Sequence, residues 1–161
     1  MLRISLAALF VLALPMSHAD DVEAACQRLI MDYAWYRDHP DAEAYGNLFT
    51  EDGTLTLFGE TFRGRDAIRQ RLISPTGGGT LHQVTTLRVR QTGPDSAEGQ
   101  SYVTVYVFAR GDDPHVVPGF AGVGEYHDLY QRTADGWRIA SRTLKMRLQD
   151  ADALAASEVR R

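Results

Sequence analysis

One cysteine, Cys26, stands in 161 residues, so no disulfide can close within the chain whatever compartment it occupies. Basic residues are scarce beside acidic ones, 17 against 21 for a net charge of −4, which argues against nucleic acid or an anionic membrane surface as partner. The five histidines share no metal-ligand spacing, so no zinc or iron site is read from them. A single glycine run, Ser74-Pro75-Thr76-Gly77-Gly78-Gly79, has neither a strand before it nor a Lys-Ser/Thr pair after it; it reads as a loop rather than a phosphate cradle. There is no internal repeat, and the length suits one domain.

Long apolar runs are also missing, with one exception at the N-terminus. Residues 1–19, MLRISLAALFVLALPMSHA, carry an early Arg3, an apolar core from Ile4 to Leu14, a helix-breaking Pro15 and a small-x-small end before Asp20. That is the layout of a cleaved secretory leader, and the run is too short for a comfortable membrane span. The expectation is a periplasmic or secreted protein with no span after cleavage. Removing 19 residues leaves 142, with 16 basic and 21 acidic side chains, a net of −5. This is enough chain for one real core.

Past the leader, Val22, Cys26, Leu29, Ile30, Tyr33 and Tyr36 recur at three- and four-residue spacing, which predicts an amphipathic helix from Asp20 to about Asp38. His39-Pro40 stops it. On that stripe Cys26 reads as packing rather than nucleophile. A second short helix is expected over Asp41–Phe49, closed by Thr50-Glu51-Asp52-Gly53, and a third over Arg65–Ile73. Thr54–Phe58 and Thr61–Arg63 read as a small hairpin, Leu81–Gln91 and Ala97–Arg110 as long strands, and Gly111–Pro118 as a polar loop. A hairpin over Gly122–Met146 turns at Thr133-Ala134-Asp135-Gly136. Its second strand alternates Trp137, Ile139, Ser141, Thr143 against Arg138, Ala140, Arg142, Leu144, Met146, so a packed face carries an arginine that needs a partner or a ligand. Helices followed by long strands give an α+β domain over residues 20–148, a curved antiparallel sheet wrapped as a cone around three N-terminal helices and enclosing a pocket. Residues 149–161 form a charged, alanine-rich tail.

Polar residues that this layout aims at the pocket are Tyr33, Asp38, His82, Tyr126, His127, Asp128 and Arg142. His127 and Asp128 fall on opposite faces of their strand, so only one points inward. The segments MDYAWYRDHPDAEAYGNLFTEDG, FRGRDAIRQRL, LHQVTTLRV, SAEGQSYVTVYV and GEYHDLYQRTADGWRIASR, in this order, resemble the SnoaL-like branch of the nuclear transport factor two-like superfamily over residues 22–147. Within it, scytalone dehydratase-like and hexachlorocyclohexane dehydrochlorinase-like lyases use an Asp-His dyad as base. The resemblance places that aspartate at Asp38, fourteen residues before Asp52, that histidine at His82, and a pocket arginine at Arg142, five after Trp137. The chain departs from both patterns: Tyr33 stands where the dehydrochlorinase-like site has a lysine, and Arg37 where the dehydratase-like site has a tyrosine just before the aspartate. Without the lysine's charge, water or another oxygen leaving group is favoured over halide.

The resemblance implies a cofactor-independent lyase or isomerase in which Asp38 orients His82, His82 removes a proton, and Arg142 with Tyr33 or Tyr126 steadies an enolate-like charge. The substrate class is a small hydrophobic or aromatic molecule, with no metal. Secreted members of the same fold also serve as non-catalytic ligand-binding or scaffold proteins, and that is the alternative reading. A homodimer or homotrimer is expected through the outer sheet face, read as Trp137, Ile139, Tyr102, Thr104 and Tyr106.

Overall fold

The computed structural model describes residues 18–72, 78–109 and 119–150. The glycine loop but for Gly78 and Gly79, the polar loop at 111–118, the tail from 151 and the leader up to residue 17 lie outside the described residues.

Helix α1 spans His18–Asp38 and buries Val22, Cys26, Leu29, Ile30 and Tyr33 along one stripe. It ends two residues before Pro40, as the restriction on the residue preceding a proline requires. Asp41 then caps α2, Ala42–Asn47, by accepting from the Ala44 amide at 3.0 Å. Helix α2 is shorter than expected. Phe49 is not helical but opens strand β1, Phe49–Leu57, and Thr50–Gly53 lies within that strand across an irregular register. The run Phe-Thr is β-prone, and the Phe49 carbonyl is taken by Arg65 Nε at 2.9 Å, which leaves no helical continuation.

Strand β2, Glu60–Arg63, returns along β1, and α3, Arg65–Leu72, buries Ile68 and Leu72. Strands β3 (Gly78–Gly93), β4 (Ser96–Ala109), β5 (Gly119–Thr133) and β6 (Gly136–Gln149) complete an unclosed six-stranded sheet in the order β2-β1-β6-β5-β4-β3. Every neighbouring pair is antiparallel except β1 and β6, which run parallel. No hairpin links those two strands, so no turn dictates their direction.

Two bulges decide which side chains face the helices. Between Leu129 and Tyr130 the β5–β6 register slips and Ala140 is left without a partner. Strict alternation would separate Ile139 from Arg142; the bulge brings both inside, fully buried. This corrects the expected outer face: Ile139 is core, and Trp137 packs partly buried against it. The second bulge, between Thr85 and Arg88, contains Thr86 at φ 54, an unusual conformation for a β-branched residue. Here His82 and Val84 before it, and Leu87 and Val89 after it, all lean toward the core.

Candidate functional site

Helix α1 packs across β3 and β6, which sets its last turn beside the start of β3. Asp38 ends that turn. Its Oδ1 accepts from His82 Nδ1 at 2.6 Å, its Oδ2 from the His82 amide at 2.8 Å, and Thr80 donates to Oδ1 at 3.2 Å. Thr80 also donates to the Arg37 carbonyl at 3.3 Å, tying the helix end to the strand. Only 10% of the Asp38 side chain and 6% of the His82 side chain are open to solvent.

Burial opposes charge on Asp38, yet the hydrogen bonds from His82 and Thr80 hold its carboxyl below the ordinary range. For His82 burial dominates, and its pKa falls below the usual 6.5 despite the carboxylate beside it. The pair is therefore a neutral imidazole held by a carboxylate. With Nδ1–H donating to Asp38, Nε2 keeps its lone pair.

A second buried network lies deeper. Asp128 and Arg142 face each other across β5 and β6, with Arg142 Nε on Oδ1 at 2.8 Å and Nη2 on Oδ2 at 2.6 Å. Tyr130 donates to Oδ2 at 2.7 Å. Burial would lower the arginine's pKa, but Asp128 overrides it and the guanidinium stays charged. Its plane lies over the rings of Tyr33 and Tyr126, 4.1 Å and 4.4 Å from their centroids. Tyr33 also packs on Tyr45 at 5.0 Å and on Tyr126 at 5.4 Å. Among the described residues, Arg142 Nη1 and the Ser101 hydroxyl are buried donors without a hydrogen-bond partner. Gly99 makes room for this arrangement: a Cβ there would sit 2.8 Å from Cε2 of Tyr130.

Of the residues singled out in the sequence, Asp38 and His82 meet, and Tyr33, Tyr126 and Arg142 form one stack. Asp128 points inward to that stack, while His127 points outward and pairs with Glu125 at 3.2 Å. Cys26 is buried, and burial with the nearby Asp128 pushes its thiol up to about 12, so it packs as an apolar group. Thr80, Tyr45, Ser101 and Tyr130 were not anticipated. Thr80 lies two residues before His82 and so on its face, a signal available in the sequence. A surface hollow lies beside Arg65 at the start of α3 and another at the Thr86 bulge; neither borders the dyad. No group of metal-ligating side chains occurs among the described residues.

Residues 20–143 match the model of the SnoaL-like domain family. Among solved structures, a Mycobacterium tuberculosis protein of unknown function, solved with an Asp-to-Asn substitution, is 27% identical, with a TM-score of 0.68 over 80% of this chain and 76% of that one. A protein of Novosphingobium aromaticivorans described as a candidate scytalone dehydratase is 23% identical, with a TM-score of 0.70 over 81% and 88%. An NTF2-like protein with a cystatin-like fold from the same bacterium is 24% identical, with a TM-score of 0.67 over 86% and 88%. Among curated proteins, none matches.

Proposed function

Because the chain belongs to the SnoaL-like domain family, we propose that it is a cofactor-independent lyase or isomerase acting on a small hydrophobic or aromatic molecule. One observation carries this reading: a buried imidazole held at 2.6 Å by an equally buried carboxylate. Such a pair is built to accept a proton. His82 Nε2 takes one from the carbon beside a carbonyl, the C–H electron pair moves onto the carbonyl oxygen, and Asp38 stabilises the imidazolium without taking the proton itself.

The oxyanion so formed needs donors. Arg142 Nη1 is a charged N–H already desolvated and without a partner, and the hydroxyls of Tyr33 and Tyr126 lie in the same stack. In a dehydration the enolate then re-forms the carbonyl and expels the β-oxygen, which leaves as water with the proton held on His82. The protein works as a periplasmic or secreted homodimer or homotrimer, associating through the outer sheet face.

Incubation of the purified protein with aromatic and polycyclic β-hydroxy ketones in D₂O tests the reading, with both α-proton exchange and product followed by NMR. His82→Ala is expected to lower exchange by about 10²- to 10⁴-fold, and Asp38→Asn to lower it substantially. Unchanged exchange in His82→Ala would exclude the dyad as base. A non-catalytic binding or scaffold role is the second reading, favoured by the close packing of Arg142, Tyr33, Tyr45 and Tyr126, all nearly or wholly closed to solvent. It predicts ligand binding without exchange in the wild type.

A further inference from the structure

The stretch Arg63-Gly64-Arg65 joins β2 to α3 and sets two arginines on either side of one glycine. Gly64 sits at φ 80, a left-handed conformation that turns the chain out of the strand and into the helix. Both arginines, with Glu51, Asp66 and Arg69, therefore border one hollow of about 390 Å³ that is open to solvent. That is room for a small molecule.

Two of the three arginines are held in place. Arg65 Nε donates to the Phe49 carbonyl at 2.9 Å, which anchors its guanidinium while both Nη groups stay unspent. Arg69 gives Nη1 to Asp66 at 3.1 Å and Nη2 to Glu43 at 2.8 Å and Asn47 at 3.1 Å. Its stem and Nε lie flat over Gly46, where a Cβ would come within 2.6 Å, so Arg69 is a fixed wall whose charge is already met. The ion pairs around the hollow are those of Arg69 with Glu43 and Asp66; among the described residues the side chains of Arg63, Arg65 and Glu51 take part in none. The hollow is thus left with two guanidinium groups lacking an acid and one carboxylate lacking a cation.

We propose that this hollow binds a phosphate group and that Arg63 and Arg65 are the residues that hold it. One guanidinium fork already saturates the two oxygens of a planar carboxylate, whereas two forks carried by different elements suit a tetrahedral anion with more oxygens and more charge. Like charges sharing a hollow repel, and a dianion between them replaces that repulsion with attraction. Glu51 opposes the anion and keeps the affinity modest. The hollow exceeds what a bare phosphate fills, and its lining is charged or glycine throughout, so a phosphate ester with a polar body such as a sugar suits it better than one with an aromatic ring. The site stands apart from the function proposed above, since it does not border the dyad.

Titration of the ¹⁵N-labelled protein in a phosphate-free buffer of low salt, followed by NMR, tests the proposal with inorganic phosphate, ribose 5-phosphate and uncharged ribose as probes. Amide shifts should gather on Glu51 and residues 64–66 and saturate with either phosphate probe by about 10 mM, ribose should move nothing, and binding should weaken as salt is raised. Tighter binding of ribose 5-phosphate assigns the site to a phosphorylated sugar, and equal binding assigns it to free phosphate. Arg63→Met, which removes an exposed side chain without an ion pair, should weaken both at least about 5-fold, while Glu51→Gln should strengthen both. Absence of saturable shifts with both phosphate probes, shifts gathered elsewhere, binding unchanged in Arg63→Met or binding weakened in Glu51→Gln would each overturn the proposal; the first two need no variant and so do not depend on its folding. His82→Ala should bind phosphate as the wild type does, so that loss of proton exchange in that variant and loss of phosphate binding in Arg63→Met report on the two sites separately.

Discussion

His82 shows how one side chain's environment sets its chemistry. Its imidazole is pushed below 6.5 by burial, so at neutral pH it is an unprotonated base without help from any other titration. The sign of the pH dependence follows from the direction of the shift. The unfolded chain takes up a proton on this histidine at higher pH than the folded protein does, so its contribution to stability is complete above about 6.5 and is lost as pH falls through the lower folded value. Asp38, also shifted down, adds a similar loss below its ordinary 3.8. Activity should accordingly hold constant from neutrality down to pH 6.5 and fall only below it, as a kcat/KM profile would measure; an acid limb centred above 6.5 would contradict a neutral buried imidazole. Asp38 and His82 are 44 residues apart, and nothing in periodicity or composition joins them. Their pairing was legible only through the resemblance, whereas the inward arginine at 142 followed from alternation and the cost of burying a charge.

Elements were legible in kind and less so in register. Each long strand follows from its β-branched and aromatic run, and each helix from its stripe, but the bulges at Thr86 and Ala140 leave no mark that alternation can register. Ile139 and Trp137 were placed outside for that reason. The β5–β6 ladder is where this matters most, since the Ala140 bulge aims Arg142 at Asp128. Arg142→Met would leave Asp128 buried with Tyr130 alone, a loss of roughly 3–5 kcal/mol in chemical denaturation, while Arg142→Met combined with Asp128→Leu should recover much of it because neither charge is then stranded. A double variant as unstable as the sum of both singles would show that the pair is not energetically coupled.

The whole molecule presents its two sheet faces very differently. Inside lie the helices, the tyrosine stack and both buried carboxylates; outside, Leu81, Tyr102, Phe108, Phe120, Leu129 and Leu148 are large apolar side chains left exposed. Leu81 and Phe120 each neighbour Tyr106 across the strands, and the Tyr106 and Phe120 rings meet edge to face at 6.2 Å, so these three form a connected patch at one end of the face. Among them Glu125 is held by Arg147 at 2.9 Å and by His127 at 3.2 Å, a polar group satisfied within its own chain and able to be covered at modest cost. A stable interface between copies needs about 800 Å² from each partner, which a sheet face of this size can supply. Sedimentation velocity should therefore give two or three times the chain's mass. Tyr102→Glu with Leu129→Glu, which puts like charges onto exposed positions of that face without touching the core, should return the mass to a single chain and leave the Asp38–His82 pair intact. A wild type that sediments as one chain, or a double variant that stays associated, would place the interface elsewhere or remove it.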